Sequence, residues 1–185
     1  MKRILLAGVL GGLAAFVWSA FSHMVLPLGE AGVRALPAES KVLESLRGSV
    51  PEAGLYLFPA PSDTSPEAQA QWMERHRTGP VGLLVYKPVG GEFSFPRYLA
   101  IELLTNILAA TLAAVLLGRV SGGYLQRALA VAALGLFAWL SISLSYWNWY
   151  GFPTIFILAE GLDQVAGWFL AGLVIARVMP GRSLS

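Results

Sequence analysis

The chain has 185 residues, of which 56% are hydrophobic and 13% are charged, with a formal net charge of +2. Ordinary globular domains carry about 25% charged residues, so this composition excludes a typical water-soluble protein and indicates an integral membrane protein. The basic residues form no stripe and match no nucleic-acid-binding motif, which argues against such a partner, and the absence of cysteine excludes disulfides, thiolate catalysis and cysteine-ligated metals.

The first predicted membrane-spanning segment covers residues 1–26. Lys2 and Arg3 precede an apolar run that continues to Pro27, and about 20 apolar residues are enough to cross a bilayer. The alternative is a cleaved signal peptide, because a basic start, an apolar core and the segment 20–22 imitate that pattern. The length of the run and the poor cleavage site favour a retained span.

Small residues recur at helical spacing along this first span, so one face of the helix is predicted to contact other helices closely. Its G-x-x-x-G pattern serves either packing within the chain or dimerisation. The face becomes polar toward its far end, and its members are Gly8, Gly12, Ala15, Ser19 and either Ser22 or His23.

Residues 27–97 form a predicted water-soluble insert, because eight acidic and seven basic residues lie between positions 28 and 97. An amphipathic helix is predicted over 39–46. Two strands, 54–58 and 81–86, flank a polar helix over 66–77 and are expected to pair as a small sheet. Two strands cannot form an independent core, so the insert is expected to pack on the membrane helices or on a partner.

Three further spans are predicted over 98–118, 128–146 and 154–178. A short basic turn over 119–127 precedes the third span. The aromatic segment 146–150 that follows this span is typical of a membrane–water interface.

Basic residues flanking the spans predict the orientation. With four spans all of them except Arg97 fall on one side, which the positive-inside rule assigns to the cytoplasm, and Arg97 stands at the outer start of the second span. The expected fold is therefore a membrane all-α protein, a bundle of four transmembrane helices with both termini cytoplasmic and a small extracytoplasmic α/β insert between helices 1 and 2. The flanking residues are Lys2, Arg3, Arg119, Arg127, Arg177 and Arg182.

The segment 158–168 places Glu160, Asp163 and Gln164 on one face of the fourth span. A carboxylate in hydrocarbon costs at least a few kcal/mol, so this face must avoid lipid and is a candidate functional site. Helix rise places polar residues of all four spans in the outer half of the membrane. These candidates are His23, Ser19, Glu102, Asn106, Ser141, Ser145, Glu160, Asp163 and Gln164.

Three interpretations of this polar layer remain open. His23 and the three carboxylates have the ligand chemistry of a metal site, although no ligand motif is present. Alternatively, the acids exchange protons or bind a cation, or they form hydrogen bonds to amides and serines that fix helix register. No Gly-x-Ser-x-Gly motif occurs, and no catalytic residue or cofactor is predicted.

Four segments carry a resemblance to a known family: Trp18-Ser-x-x-Ser-His-Met-Val-Leu-Pro27, 54–59, 146–153 and 167–173. They resemble a family of small, functionally uncharacterised bacterial inner-membrane proteins. The resemblance implies four spans and a bacterial envelope, and it carries no activity.

Two functions are consistent with these features. The first is a binding or accessory module of the bacterial envelope, whose insert and aromatic segment contact an envelope membrane-protein partner, since the chain has a docking surface and no recognisable catalytic set. The second is a small proton- or cation-linked transporter, in which four spans would require a homo-oligomer to enclose a pathway. Both place the chain in the lipid bilayer.

Overall fold

The computed structural model describes residues 1–179, so Arg182 lies outside the described residues. A 3₁₀ turn follows the first helix at Leu28–Glu30, and a π-helical segment lies at Trp139–Ser143. In chain order the helices and strands are α1 (Lys2–Met24), α2 (Glu39–Ser49), β1 (Gly54–Phe58), α3 (Pro66–Thr78), β2 (Gly82–Tyr86), α4 (Phe95–Leu117), α5 (Tyr124–Ala138), α6 (Leu144–Tyr150) and α7 (Thr154–Val178).

Four helical segments within residues 1–179 are long and apolar enough to cross a membrane. They are α1, α4, the continuous segment Tyr124–Tyr150, and α7. The prediction of four spans is confirmed, and the chain is a multi-pass membrane protein. It divides into two compact units, a membrane-helix unit formed by residues 1–34 and 94 onward, and an insert, Ala35–Phe93.

The membrane helices pack in the order α4, α1, α7, α5. Helix α1 makes extensive contacts with α4 on one side and α7 on the other, and α7 also packs against α5. Helix α4 has few contacts with α5 and α7. Both α1 and α7 are therefore central helices with two neighbours each.

Glycines allow these helices to approach closely. A Cβ atom placed on Gly12 would lie 2.5 Å from Ile107 Cα of α4, and one on Gly11 would lie 2.5 Å from Ile175 Cγ1 of α7. Gly8 also lies close to α4, since a Cβ there would be 2.8 Å from Thr111 Cα, so both glycines of the G-x-x-x-G pattern serve packing within the chain. Ser22, and not His23, is the buried residue at the end of this face.

The third span begins four residues earlier than predicted and contains an irregularity. The Gln126 side chain accepts a hydrogen bond from the Gly123 N–H at 2.9 Å, which caps α5 ahead of the predicted start at 128. As a result Arg127 does not lie in a basic turn. It belongs to the beginning of α5 and is buried.

The π-helical segment changes which side chains of this span face its neighbours, because a π turn accommodates an additional residue. Ser143 is buried here, whereas Ser141 and Ser145 are exposed. Next to it, the Trp139 ring lies against Gly161, and its Nε1–H donates to the Ile157 carbonyl at 2.8 Å. This contact attaches the irregular segment to α7.

The insert contains an antiparallel pair of strands, as predicted. Leu55 pairs with Val85 and Leu57 with Leu83. Between the strands, α3 begins with Pro66 after Ser65, whose side chain accepts a hydrogen bond from the Ala68 N–H at 3.2 Å. In this unit only two hydrophobic residues of the described chain are buried, Ala68 and Tyr86.

Candidate functional site

Five of the predicted polar residues line one small pocket between α1, α4 and α7. The pocket has a volume of about 60 Å³, and the same walls include Ala15, Gly167 and two tryptophans. The five polar residues are Ser19, Glu102, Asn106, Asp163 and Gln164. Residues that are distant in sequence thus come together on three helices.

The α4 wall of the pocket is an internally bonded pair. The Asn106 side-chain N–H groups donate to Glu102 Oε1 at 2.9 Å and to the Glu102 backbone carbonyl at 3.0 Å. These residues are one turn apart, so the amide orients the carboxylate along its own helix. Glu102 itself is exposed.

The α7 wall is held by tryptophans that the sequence analysis did not select. Trp18 Nε1 donates to the Asp163 backbone carbonyl at 3.1 Å, and Trp168 Nε1 donates to Gln164 Oε1 at 3.2 Å. The first bond joins α1 to α7. The Trp18 ring can approach α7 closely enough for this bond because residue 167 is a glycine. A Cβ atom at that position would lie 2.8 Å from the ring.

Asp163 carries the one carboxylate oxygen of the described chain that is buried without a hydrogen-bond partner, Oδ1. A buried acceptor without a partner costs about 1–3 kcal/mol, and more when it is charged. Asp163 is therefore the carboxylate in the pocket with unmet hydrogen-bonding capacity.

Glu160 and His23 lie beside the pocket and do not line it. Glu160 is half-buried and lies close enough to Asp163 and His23 for electrostatic interaction with both. His23 Nδ1 lies 3.0 Å from Ser22 Oγ and 3.0 Å from the Ser19 carbonyl, while its ring is exposed at the end of α1.

The structure does not bring Ser141 and Ser145 into this pocket. Their hydroxyls donate to carbonyls of their own helix, Phe137 at 2.8 Å and Ser141 at 3.3 Å respectively. Both face outward because the π-helical segment places Ser143 on the buried side instead. The polar layer was predicted to include all four membrane helices, whereas the pocket is formed by three of them, α1, α4 and α7.

The metal interpretation finds no support in this arrangement. Among residues 1–179, no three His, Cys, Asp or Glu side chains are grouped so that they could hold a metal ion. His23 lies at an exposed helix end, and Glu102 is bonded to Asn106. The pocket is suited to hydrogen bonding, since Asp163 Oδ1 is a buried acceptor without a partner.

The insert carries a second candidate site, an exposed apolar sheet face formed by Leu55, Leu57 and Val85. Leu55 and Val85 are 65% and 75% exposed, although they are directly paired across the sheet. Alternation places Leu57 on the same side. Large apolar side chains that share one face of a sheet normally pack against another part of the protein or against a partner.

The membrane-helix unit also exposes an aromatic rim, which is Tyr146, Trp147, Trp149 and Tyr150 of α6. Trp149 is 76% exposed. The Trp147 Nε1–H donates to Thr154 Oγ1 at 3.1 Å, so the rim is attached to the start of α7. This geometry agrees with the amphipathic role of such residues at a membrane surface.

Comparison of the chain with family models, curated proteins and solved structures gives no match.

Proposed function

We propose that this protein is a binding or accessory module of the bacterial inner membrane, with cytoplasmic termini and an extracytoplasmic insert that binds an envelope membrane-protein partner. The observation that carries the proposal is the exposed apolar sheet face of Leu55, Leu57 and Val85. A two-stranded sheet is marginally stable by itself, so covering this face both stabilises the insert and provides binding energy.

The proposed orientation is supported by the charges at one end of the membrane helices. Arg3, Arg119 and Arg127 line the same pocket at that end, and basic residues beside spans favour the cytoplasm. Alkaline phosphatase fused near Ser62 is expected to be active, and the same enzyme fused near Ser121 inactive. The reverse pattern would contradict the orientation.

The partner is tested by photo-cross-linking in cells. A photoreactive amino acid at Val85 is expected to give one discrete adduct with an envelope protein, identifiable by mass spectrometry. The double substitution Leu55→Glu with Val85→Glu is expected to abolish co-purification of that protein in mild detergent.

Gln71→Glu is the matched control, because it adds a negative charge at an exposed position of α3 in the same insert. It should preserve co-purification. If the Val85 position gives no adduct, or if Gln71→Glu removes the partner as completely as the double substitution, the binding proposal fails.

A second function, proton- or cation-linked transport, is favoured by one observation, the unpartnered buried oxygen of Asp163. The pocket is confined to three helices of one chain, so a complete pathway would require a homo-oligomer. Asn106 would orient the Glu102 carboxylate in this mechanism, because its side-chain N–H donates to Glu102 Oε1.

Isosteric substitutions separate transport from a structural role. Asp163→Asn and Glu160→Gln preserve side-chain shape and remove the titrating group. Proton and cation flux in proteoliposomes should be lost in both variants if the acids conduct. If wild type and both variants show the same flux as empty liposomes, the transport function is contradicted and the acids have a structural role in helix packing.

A further inference from the structure

A larger pocket lies at the opposite end of the membrane helices from the carboxylates. It has a volume of about 640 Å³ and is lined by the start of α1, the turn that follows α4, the start of α5 and the last described residue, Met179. Three of its lining residues are arginines, Arg3, Arg119 and Arg127. This volume lies within the range of sites that bind small molecules.

Arg127 is the unusual member of this pocket. It is 2% exposed, yet within the described residues its Nε and Nη1 atoms have no hydrogen-bond partner. Only Nη2 has one, donating to the Leu117 carbonyl at a long 3.4 Å. A guanidinium group remains charged in proteins and carries five N–H donors, so most of its capacity is unused.

The surrounding charges offer Arg127 no compensation. Residues 1–4, 115–127 and 175–179, which form this end of the unit, include no acidic residue and contain further basic residues, Lys2 and Arg177. Across residues 1–179 the structure contains one ion pair, Arg77 with Glu74, and it lies in the insert. An unpaired buried charge is strongly destabilising, so an anion from outside the chain would stabilise this end.

We propose that the pocket of Arg3, Arg119 and Arg127 binds a phosphate group. Guanidinium groups present planar sets of donors that match the oxygens of phosphate, and arginine is favoured at such sites for this reason. Two exposed arginines beside one buried arginine provide both long-range attraction and desolvated donors. The phosphate belongs either to an anionic phospholipid headgroup, which lies at the ends of membrane helices, or to a soluble phosphate ester.

The two sources are distinguished with purified full-length protein in detergent. Native mass spectrometry compares retention of phosphatidylglycerol with that of a diacylglycerol bearing the same acyl chains and no phosphate. A parallel thermal-shift experiment adds glycerol phosphate without lipid. Arg119→Gln tests an exposed arginine of the pocket, so it remains informative even if Arg127→Gln fails to fold.

Arg177→Gln is the control, because it removes a positive charge from the same end of the unit and does not line the pocket. Retention of phosphatidylglycerol should exceed that of diacylglycerol, and it should fall at least about fivefold in Arg119→Gln and Arg127→Gln while Arg177→Gln stays within about twofold of wild type. If glycerol phosphate alone raises the thermal midpoint, and does so only with Arg119 present, the ligand is a soluble ester.

Two results would overturn the proposal. One is that neither phosphatidylglycerol nor glycerol phosphate distinguishes wild type from Arg119→Gln. The other is that Arg177→Gln loses as much binding as the pocket variants, because general surface charge would then explain the effect.

Discussion

The membrane-helix unit and the insert are stabilised in different ways. In the membrane-helix unit, buried alanines and glycines bring helix backbones into contact, as at Gly12 against Ile107. In the insert, only Ala68 and Tyr86 are buried, and the paired residues Leu55 and Val85 remain exposed.

This difference indicates which interactions stabilise each unit. Lipid is as apolar as leucine, so helices in a membrane gain from close packing and not from leaving water. A small insert in water is normally stabilised by an apolar core. This insert buries few apolar side chains, so its individual hydrogen bonds and any external partner contribute a larger share of its stability. Substitutions should therefore act by steric overlap in one unit and by loss of single contacts in the other.

The largest effect is expected for Gly12→Leu. The new side chain would meet Ile107 backbone atoms at 2.5–2.7 Å and force α1 away from α4. Overpacking of this kind costs about 3 kcal/mol. The thermal midpoint in detergent should fall clearly. Gly48→Leu is the control, because no atom lies within 4 Å of a Cβ there; it should leave the midpoint unchanged or raise it. If both substitutions lowered the thermal midpoint equally, close glycine packing would not be what distinguishes the membrane-helix unit from the insert.

A smaller and local effect is expected for Trp72→Ala. The half-buried indole of α3 donates to the Pro59 carbonyl at 3.0 Å and is a main contact between α3 and the segment after β1. Its removal should destabilise the insert by about 2 kcal/mol, less than a fully buried tryptophan would. Limited proteolysis should cut the insert faster while the membrane helices keep their thermal midpoint. Protection equal to wild type would show that this contact contributes little.

Trp18→Phe tests a single hydrogen bond inside the membrane-helix unit. Phenylalanine retains an aromatic ring against Gly167 but cannot donate to the Asp163 carbonyl. The expected loss is about 1 kcal/mol. It is measured by reversible unfolding in mixed micelles, with Trp149→Phe on the exposed rim as the comparison, because that indole is 76% exposed. A loss as large as that of Gly12→Leu would mean that polar contacts, and not glycine packing, dominate this unit.

The smallest effect is a pH dependence at Asp63 in the insert. The side chain and the backbone N–H of Ser65 hold the pKa of the Asp63 carboxyl below its usual value of 3.8. Because the pKa is depressed in the folded state, this contribution to stability is present above the unfolded value and is lost as the pH falls through the folded one. The amide resonance of Ser65 should titrate with a midpoint below 3.8 and should stop titrating in Asp63→Asn. A midpoint at or above 3.8 would contradict the assigned hydrogen bonds.

Patterns that extend over many residues could be read from the sequence. Four long apolar runs predicted four spans, and two short apolar runs that end near a proline predicted both strands. The convergence of Glu102, Asn106, Asp163 and Gln164 also followed from helix rise and periodicity, because these quantities are nearly constant in α-helices.

Features that depend on a single turn could not be predicted in this way. Ser141 and Ser145 were selected because they lie in the outer half of the third span, but the π-helical segment shifts its side chains, so that Ser143 is buried and these two serines are exposed. Arg127 was assigned to a turn because a charge near the end of an apolar run usually marks the boundary. Its burial depends on the arrangement of neighbouring helices, which sequence periodicity does not contain.

The helix order α4, α1, α7, α5 has a consequence for biogenesis. When synthesis proceeds along the chain, α1 and α4 can associate as soon as both have entered the bilayer. Helix α5 has few contacts with α4, so it remains without its principal neighbour until α7 is inserted between it and α1. Assembly of these four helices therefore depends on α7, which is translated after α5, and a ribosome that stalls before α7 leaves a half-assembled intermediate for quality-control proteases to recognise.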